Sequence, residues 1–199
     1  LKHIIESGHD LRQLIEELLA LAKVEAGRIE LHPVPLQLAD LATGLQRAFS
    51  TSLDSKGLVL QVDVSECPTV ESDHAKVRQV LYNFLANAIK YAPESGTLHL
   101  QTHLLDSGSV EISVIDHGPG VPEDLRQVIF EKFRQGDSGL ARGHGGTGLG
   151  LAIARQFSEI LRGSVRCDAT PGGGATFVLR LPLVWPRESG RPLLPEADD

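Results

Sequence analysis

The chain has 199 residues, 41% hydrophobic and 23% charged, enough for one ordinary domain with an appendage or for two small domains, and not the profile of a disordered or fibrous chain. Lys and Arg number 19 against 26 Asp and Glu, a formal net charge of −7, so a nucleic-acid partner is not expected, although backbone amides still permit a local anion site. Cys67 and Cys167 lack zinc or disulfide-scaffold spacing and read as thiols of a reducing compartment.

No apolar run approaches the roughly 20 residues of a membrane span. There is no signal peptide and no Met, so the chain is expected to be a cytoplasmic segment of a longer protein. Any membrane attachment, as in the cytoplasmic part of an inner-membrane protein, would run through upstream segments absent here.

Leu1 to about Ala26 reads as a single helix. Ile4, Gly8, Leu11, Ile15, Leu18 and Ala22 alternate in steps of four and three, as in a coiled-coil seam. Leu14, Leu19 and Leu21 widen that face, which predicts a helical bundle. Gly27 ends the helix, and Pro33 and Pro35 keep the next stretch extended.

From Leu36 the pattern turns α/β. Leu38 to about Ser55 reads as a helix, Leu58–Val64 as a strand, and Asp73–Tyr91 as a helix capped by Asp73. Gly96–Leu104 and Ser109–Asp116 flank Asp106-Ser107-Gly108 and predict an antiparallel hairpin. Leu125–Phe133 reads as a short helix, Gln135–Gly146 as a Gly-rich loop, and Thr147 to Leu161 as another helix. Ser164–Ala169 and Ala175–Leu181 are closing strands, and the proline-rich tail after Pro182 reads as a linker. The expected division is 1–30 for the bundle helix, 31–183 for the α/β domain and 184–199 for the tail.

Three constellations carry chemistry. Gly145-Gly146-Thr147-Gly148-Leu149-Gly150 opens a helix, where free N–H groups and the helix dipole attract a phosphate. Read alone it is equally a packing turn; it lacks the Gly-Lys-Ser/Thr ending of a Walker A loop. Asp116-His117-Gly118-Pro119-Gly120 ends an apolar strand. There an Asp can accept from an exocyclic amine and two glycines let a flat base slide past, unless this is an ordinary turn. Asn83 and Asn87 share a face of the long helix at i, i+4, with Lys90 one turn on. Their amides suit an oxygen ligand for Mg²⁺ or a buried amide network.

The order of these pieces, Asn83…Asn87, Asp116-x-Gly-x-Gly, Phe130…Phe133 and Gly146-x-Gly-x-Gly, closely resembles the catalytic, ATP-binding domain of sensor histidine kinases, with its N, G1, F and G2 boxes. Asp73…Gln79-Val80-Leu81, Gly163 and Gly174-Ala175-Thr176-Phe177 extend the resemblance over roughly Leu36–Leu183. It implies an α+β fold: a two-layer α/β sandwich of the Bergerat (GHKL) type, a mixed sheet under helices, preceded by one long bundle helix. ATP and Mg²⁺ are the implied cofactors. Asp116 would hold the adenine amine, with Tyr91 beside the base and Asn87 on Mg²⁺, and Gly118, Gly120 and Thr176 would be further ATP-binding residues. Asn83, Lys90, Gly146, Thr147, Gly148, Leu149 and Gly150 would line the phosphates. A lid over about Arg134–His144, with Gly136, Gly143 and His144, would be anchored by Phe130 and Phe133, two residues that by default are core.

The resemblance implies a histidine kinase that is a homodimer in full length and passes phosphate from a His to an Asp of a response-regulator receiver domain. Gyrase-, Hsp90- and MutL-type ATPases resemble it too, but place a Glu as water-activating base where this chain has Asn83, which favours phosphoryl transfer over hydrolysis. His9-Asp10-Leu11-Arg12 is tempting as acceptor, but no proline follows, and its context resembles the second helix of the dimerisation hairpin. The acceptor is therefore expected upstream of residue 1. The alternatives are a degenerate nucleotide-binding regulatory module and an anti-sigma-factor-type serine kinase.

Overall fold

The computed structural model describes residues 15, 18, 19, 22, 24, 26, 29–64, 68–134 and 148–185. Residues 15, 18, 19, 22 and 24 are helical, as the periodicity predicts, with Ile15, Leu18 and Leu19 each more than half exposed.

The elements that follow are β1 (Val34–Leu36), α1 (Leu38–Lys56), β2 (Val59–Asp63), β3 (Val70–Ser72), α2 (His74–Tyr91), β4 (Thr97–Leu105), β5 (Ser109–Ile115), α3 (Gly150–Ile160), β6 (Ser164–Ala169) and β7 (Ala175–Pro182). Five strands form one mixed sheet in the order β2-β4-β5-β7-β6. Among the described residues only β2 and β4 of this sheet run parallel, joined through β3 and the long helix α2; the other three pairings are antiparallel.

Strand alternation gives the sheet one apolar face. Leu98, Leu100, Val110, Ile112, Val114, Phe177, Leu179 and Leu181 are all buried there, against helices. The ring of Phe84 on α2 lies 5.4 Å from that of Phe177 on β7, so α2 crosses the middle of the sheet. Leu41, Leu45, Phe49 and Leu53 form the buried stripe of α1. Gly57 stops α1 at φ 63°, its N–H donating to the Asp54 carbonyl while that of Leu58 donates to Leu53, the paired bonds of a Schellman ending.

Asp73 caps α2 as expected, accepting the Lys76 N–H at 3.0 Å. Its other oxygen accepts the N–H of His32, also at 3.0 Å, so the cap holds the incoming chain as well. The short ladder of β1 on β3 continues this attachment. On the other side of β3, Glu71 donates its N–H to the Leu183 carbonyl at 2.8 Å and accepts the Trp185 N–H on its carboxylate at 3.2 Å.

Three readings need correction. The stretch 125–133 is not an α-helix but two 3₁₀ turns, Glu123–Leu125 and Val128–Phe130, because the run is too short to nucleate a longer helix. α3 begins at Gly150 rather than Thr147. Leu183 and Trp185 pack partly buried against the core, so the domain's contacts run past Pro182. The strands β1 and β3, three residues each, carry no alternation long enough to be read from sequence.

Candidate functional site

Asp116 follows β5 directly and is 3% exposed. Its backbone N–H continues the ladder to the Ala175 carbonyl at 2.9 Å. Its Oδ1 accepts two N–H groups, from Gly118 at 2.9 Å and from Ala175 at 3.2 Å. Burial pushes the carboxyl above its ordinary value, and these two donors with His117 offset part of that rise. A carboxylate held through one oxygen at the mouth of a strand has acceptor capacity on its second oxygen.

The glycines after Asp116 answer to the protein's own backbone. A Cβ on Gly118 would lie 2.5 Å from the Tyr91 carbonyl oxygen, and one on Gly174 would collide with the carbonyl of Asp116. The turn is thus wedged between the end of α2 and the loop before β7. The sequence offered the glycines as room for a base; the structure gives them a second reason.

Along α2, Asn83 is 4% exposed with both amide atoms in use: Nδ2 donates to the Gly150 carbonyl at 2.7 Å and Oδ1 accepts Gln79 Nε2 at 3.3 Å. Asn83 therefore ties α2 to the first residue of α3. Asn87 is half-buried one turn on, its Nδ2 donating to the Asn83 carbonyl at 3.0 Å. That commits the amide nitrogen internally and leaves oxygen as the atom with ligand character. The Lys90 ammonium stands 5.1 Å over the ring of Tyr91, which is 41% exposed. Gly148, at φ 69°, accepts the Phe133 N–H at 3.1 Å on its carbonyl, and Leu149 beside it is buried.

The structure thus brings Asn83, Asn87, Gly148, Leu149 and Gly150 to the α2–α3 junction, and Asp116, Gly118, Gly120 and Tyr91 to the end of β5. It does not bring Thr176 to Asp116. Strand alternation turns Thr176 to the opposite face of β7, where its hydroxyl meets that of Thr170 at 2.9 Å. Ala175, the residue sequence reasoning passed over, is the one bonded to Asp116. The signal was present: Phe177 is core, so Ala175 shares its side and Thr176 does not. Phe130 is buried, as a core residue should be, but Phe133 is 66% exposed with φ 60°, so the pair shares no face. Arg134 pairs with Glu131 at 3.2 Å. Gly136, Gly143, His144, Gly146 and Thr147 lie outside the described residues, as does His9.

Among the described residues no cluster of three or more His, Cys, Asp or Glu side chains is placed to hold a metal, and no helix is long and apolar enough to cross a membrane. Cys167 is buried in the sheet, its thiol pushed up to about 12 by burial.

Residues 72–184 match the family described as "Histidine kinase-, DNA gyrase B-, and HSP90-like ATPase". The chain belongs to that family. Its relatives within it are sensor histidine kinases. The circadian input-output histidine kinase CikA of Synechococcus elongatus is 33% identical over 185 residues, which cover 92% of this chain and 24% of CikA. The crystal structure of full-length ShkA in complex with AMPPNP superposes with a TM-score of 0.80 at 35% identity, covering 92% of this chain and 38% of ShkA. The histidine kinase ThkA, solved in complex with the response regulator protein TrrA, has a TM-score of 0.71 at 23% identity, covering 90% of this chain and 49% of that one, a likeness of fold. The chain spans about a quarter of CikA's length, and within that span it is the ATP-binding catalytic domain of the histidine kinase type.

Proposed function

We propose that this domain binds ATP as its Mg²⁺ complex and donates the γ-phosphoryl group to a histidine of the wider protein, from which a response-regulator Asp receives it. Buried Asp116, pinned through Oδ1, carries the reading, because a lone acceptor at the end of a strand suits the exocyclic amine of adenine. Support comes from the kinase relatives and from the AMPPNP and response-regulator complexes of ShkA and ThkA.

In this reading Asp116 orients the base and Tyr91 lies beside it. The Asn87 side-chain oxygen is the hard donor that fits Mg²⁺, which would neutralise charge on the phosphates. Lys90 adds positive charge, and the backbone at Gly148–Gly150, at the N-terminus of α3, faces the phosphate end. Asn83 sets the distance between the two helices that flank the phosphates. With an amide at position 83, the site contributes positioning and charge and offers no carboxylate there to activate water.

Calorimetric titration with ATP, with and without Mg²⁺, tests the proposal. Magnesium-dependent binding that is lost in Asp116→Asn is the expected result; no binding by the folded domain would overturn it. In the full-length protein the phosphorylated product should be acid-labile, as phosphohistidine is and phosphoserine is not.

A further inference from the structure

Lys56 is the last residue of α1, yet its ammonium is spent on another helix. Nζ donates to the carbonyl oxygens of Ile89 at 2.8 Å and Lys90 at 2.9 Å, at the end of α2. Both carbonyls belong to the last turn of that helix. The residue four beyond Ile89 is Pro93, which has no N–H, and the residue four beyond Lys90 lies past the helix end. A cation there donates to two carbonyls of the last turn and meets the negative end of the helix dipole.

The surrounding backbone is stitched to the same point. Ser95 donates its N–H to the Lys56 carbonyl at 2.9 Å, and Val59 donates to Gly96 at 3.0 Å. The next carbonyl of α2, that of Tyr91, is the atom against which Gly118 is wedged, and Gly118 in turn holds Asp116 Oδ1. A continuous path of contacts therefore runs from the Lys56 ammonium through the end of α2 to the carboxylate that faces the base.

We infer that Lys56 is a positioning residue for the purine end of the nucleotide site: it fixes the C-terminal carbonyls of α2, and with them Tyr91 and the Gly118 turn, where Asp116 meets the base. The inference rests on the reading of Asp116 as the adenine acceptor. Lys56 acts through backbone and touches no ligand atom, so its effect falls on the base and is the same whether or not phosphates are attached.

The test compares wild type, Lys56→Met and Lys56→Arg, titrated with ADP by calorimetry and with uncharged adenosine by amide NMR, alongside thermal melts. Lys56→Met should weaken both ligands by the same factor, roughly tenfold, the scale of a coupling carried through packed contacts. Lys56→Arg, whose guanidinium also donates to helix-end carbonyls, should return both to within roughly threefold of wild type. Unchanged affinity in Lys56→Met would overturn the inference. So would a loss confined to ADP, which marks attraction of phosphate by charge, or an Arg variant no better than Met, which marks packing alone. Should Lys56→Met fail to fold, Lys56→Gln, which keeps an uncharged N–H donor group, replaces it: an equal loss for both ligands supports the inference and wild-type affinity overturns it. Failure of wild type to bind either ligand would overturn the nucleotide reading itself.

Discussion

Arg166 on β6 reaches across β7 to grip Glu111 on β5 at two points, 2.5 and 2.8 Å, while its Nε donates to Asp168 at 2.8 Å. The pair lies on the sheet face turned away from the helices. Val178, cross-strand neighbour of Arg166, is only 2% exposed on that face, next to the position from which the arginine stem extends. Hydrogen bonds from Arg166 hold the Glu111 carboxyl below its ordinary value.

Arg166→Ala should therefore cost about 1–2 kcal/mol, more than a surface ion pair alone, because it removes the stem beside Val178 as well as freeing Glu111. Arg166→Met, which keeps the stem, should lose about half as much. Chemical denaturation of both variants at low and high salt checks this: the difference between Ala and Met should survive salt, and the ionic share should shrink.

Asp116→Asn separates stability from binding. The wild-type carboxylate is buried at a cost, whereas an amide keeps an acceptor for Gly118 and Ala175 without the charge. The variant should melt at or above wild type at neutral pH while losing at least roughly tenfold in ATP affinity. Differential scanning calorimetry with and without nucleotide reads both numbers.

The acid response should have two opposed parts. Asp116 has its folded value raised, so as pH falls through that value towards the ordinary 3.8 the folded state gains protons and stability, while nucleotide affinity declines. Asp73 is buried, which alone would raise its value, but N–H donors from His32 and Lys76 bring it below the ordinary 3.8, and Glu111 sits below 4.5. Their stabilisation is present above those ordinary values and is lost as pH drops through the lowered ones. Nucleotide binding should thus fade at a higher pH than the fold does, as paired titrations by fluorescence and circular dichroism would show.

The two asparagines of α2 should fail differently. Asn83→Ala removes a buried amide that bonds both Gly150 and Gln79, and should cost about 1–3 kcal/mol of stability. Asn87→Ala breaks one half-buried bond, should cost about 1 kcal/mol or less, and should show its main effect as lost magnesium dependence of ATP binding. Equal destabilisation of the two, measured by urea unfolding, would contradict this assignment.

Much of this was legible in the sequence where a pattern ran long enough to have a period. The stripe of α1, the Asp73 cap and the β4–β5 hairpin all appear within a residue or two of where they were expected, because each rests on many local signals agreeing. Phe133 escaped because its exposure follows from a left-handed backbone angle that no neighbour in sequence announces. Asn83 escaped in part: its spacing from Asn87 was plain, but its partner Gly150 lies 67 residues away. Lys56 gave no sign at all, since its two carbonyl partners belong to another helix.

The strand β3 has a consequence for how the domain is wired into a longer chain. Residue 32 is bonded to Asp73 and residue 185 to Glu71, so the way in and the way out are moored side by side. Both moorings sit at the N-terminal end of α2, which has 18 residues. At 1.5 Å per residue, Tyr91 and the proposed purine end lie roughly 27 Å along the same helix. Strain on either mooring would enter at one end of that rod while, in the proposed reading, the nucleotide is bound at the other.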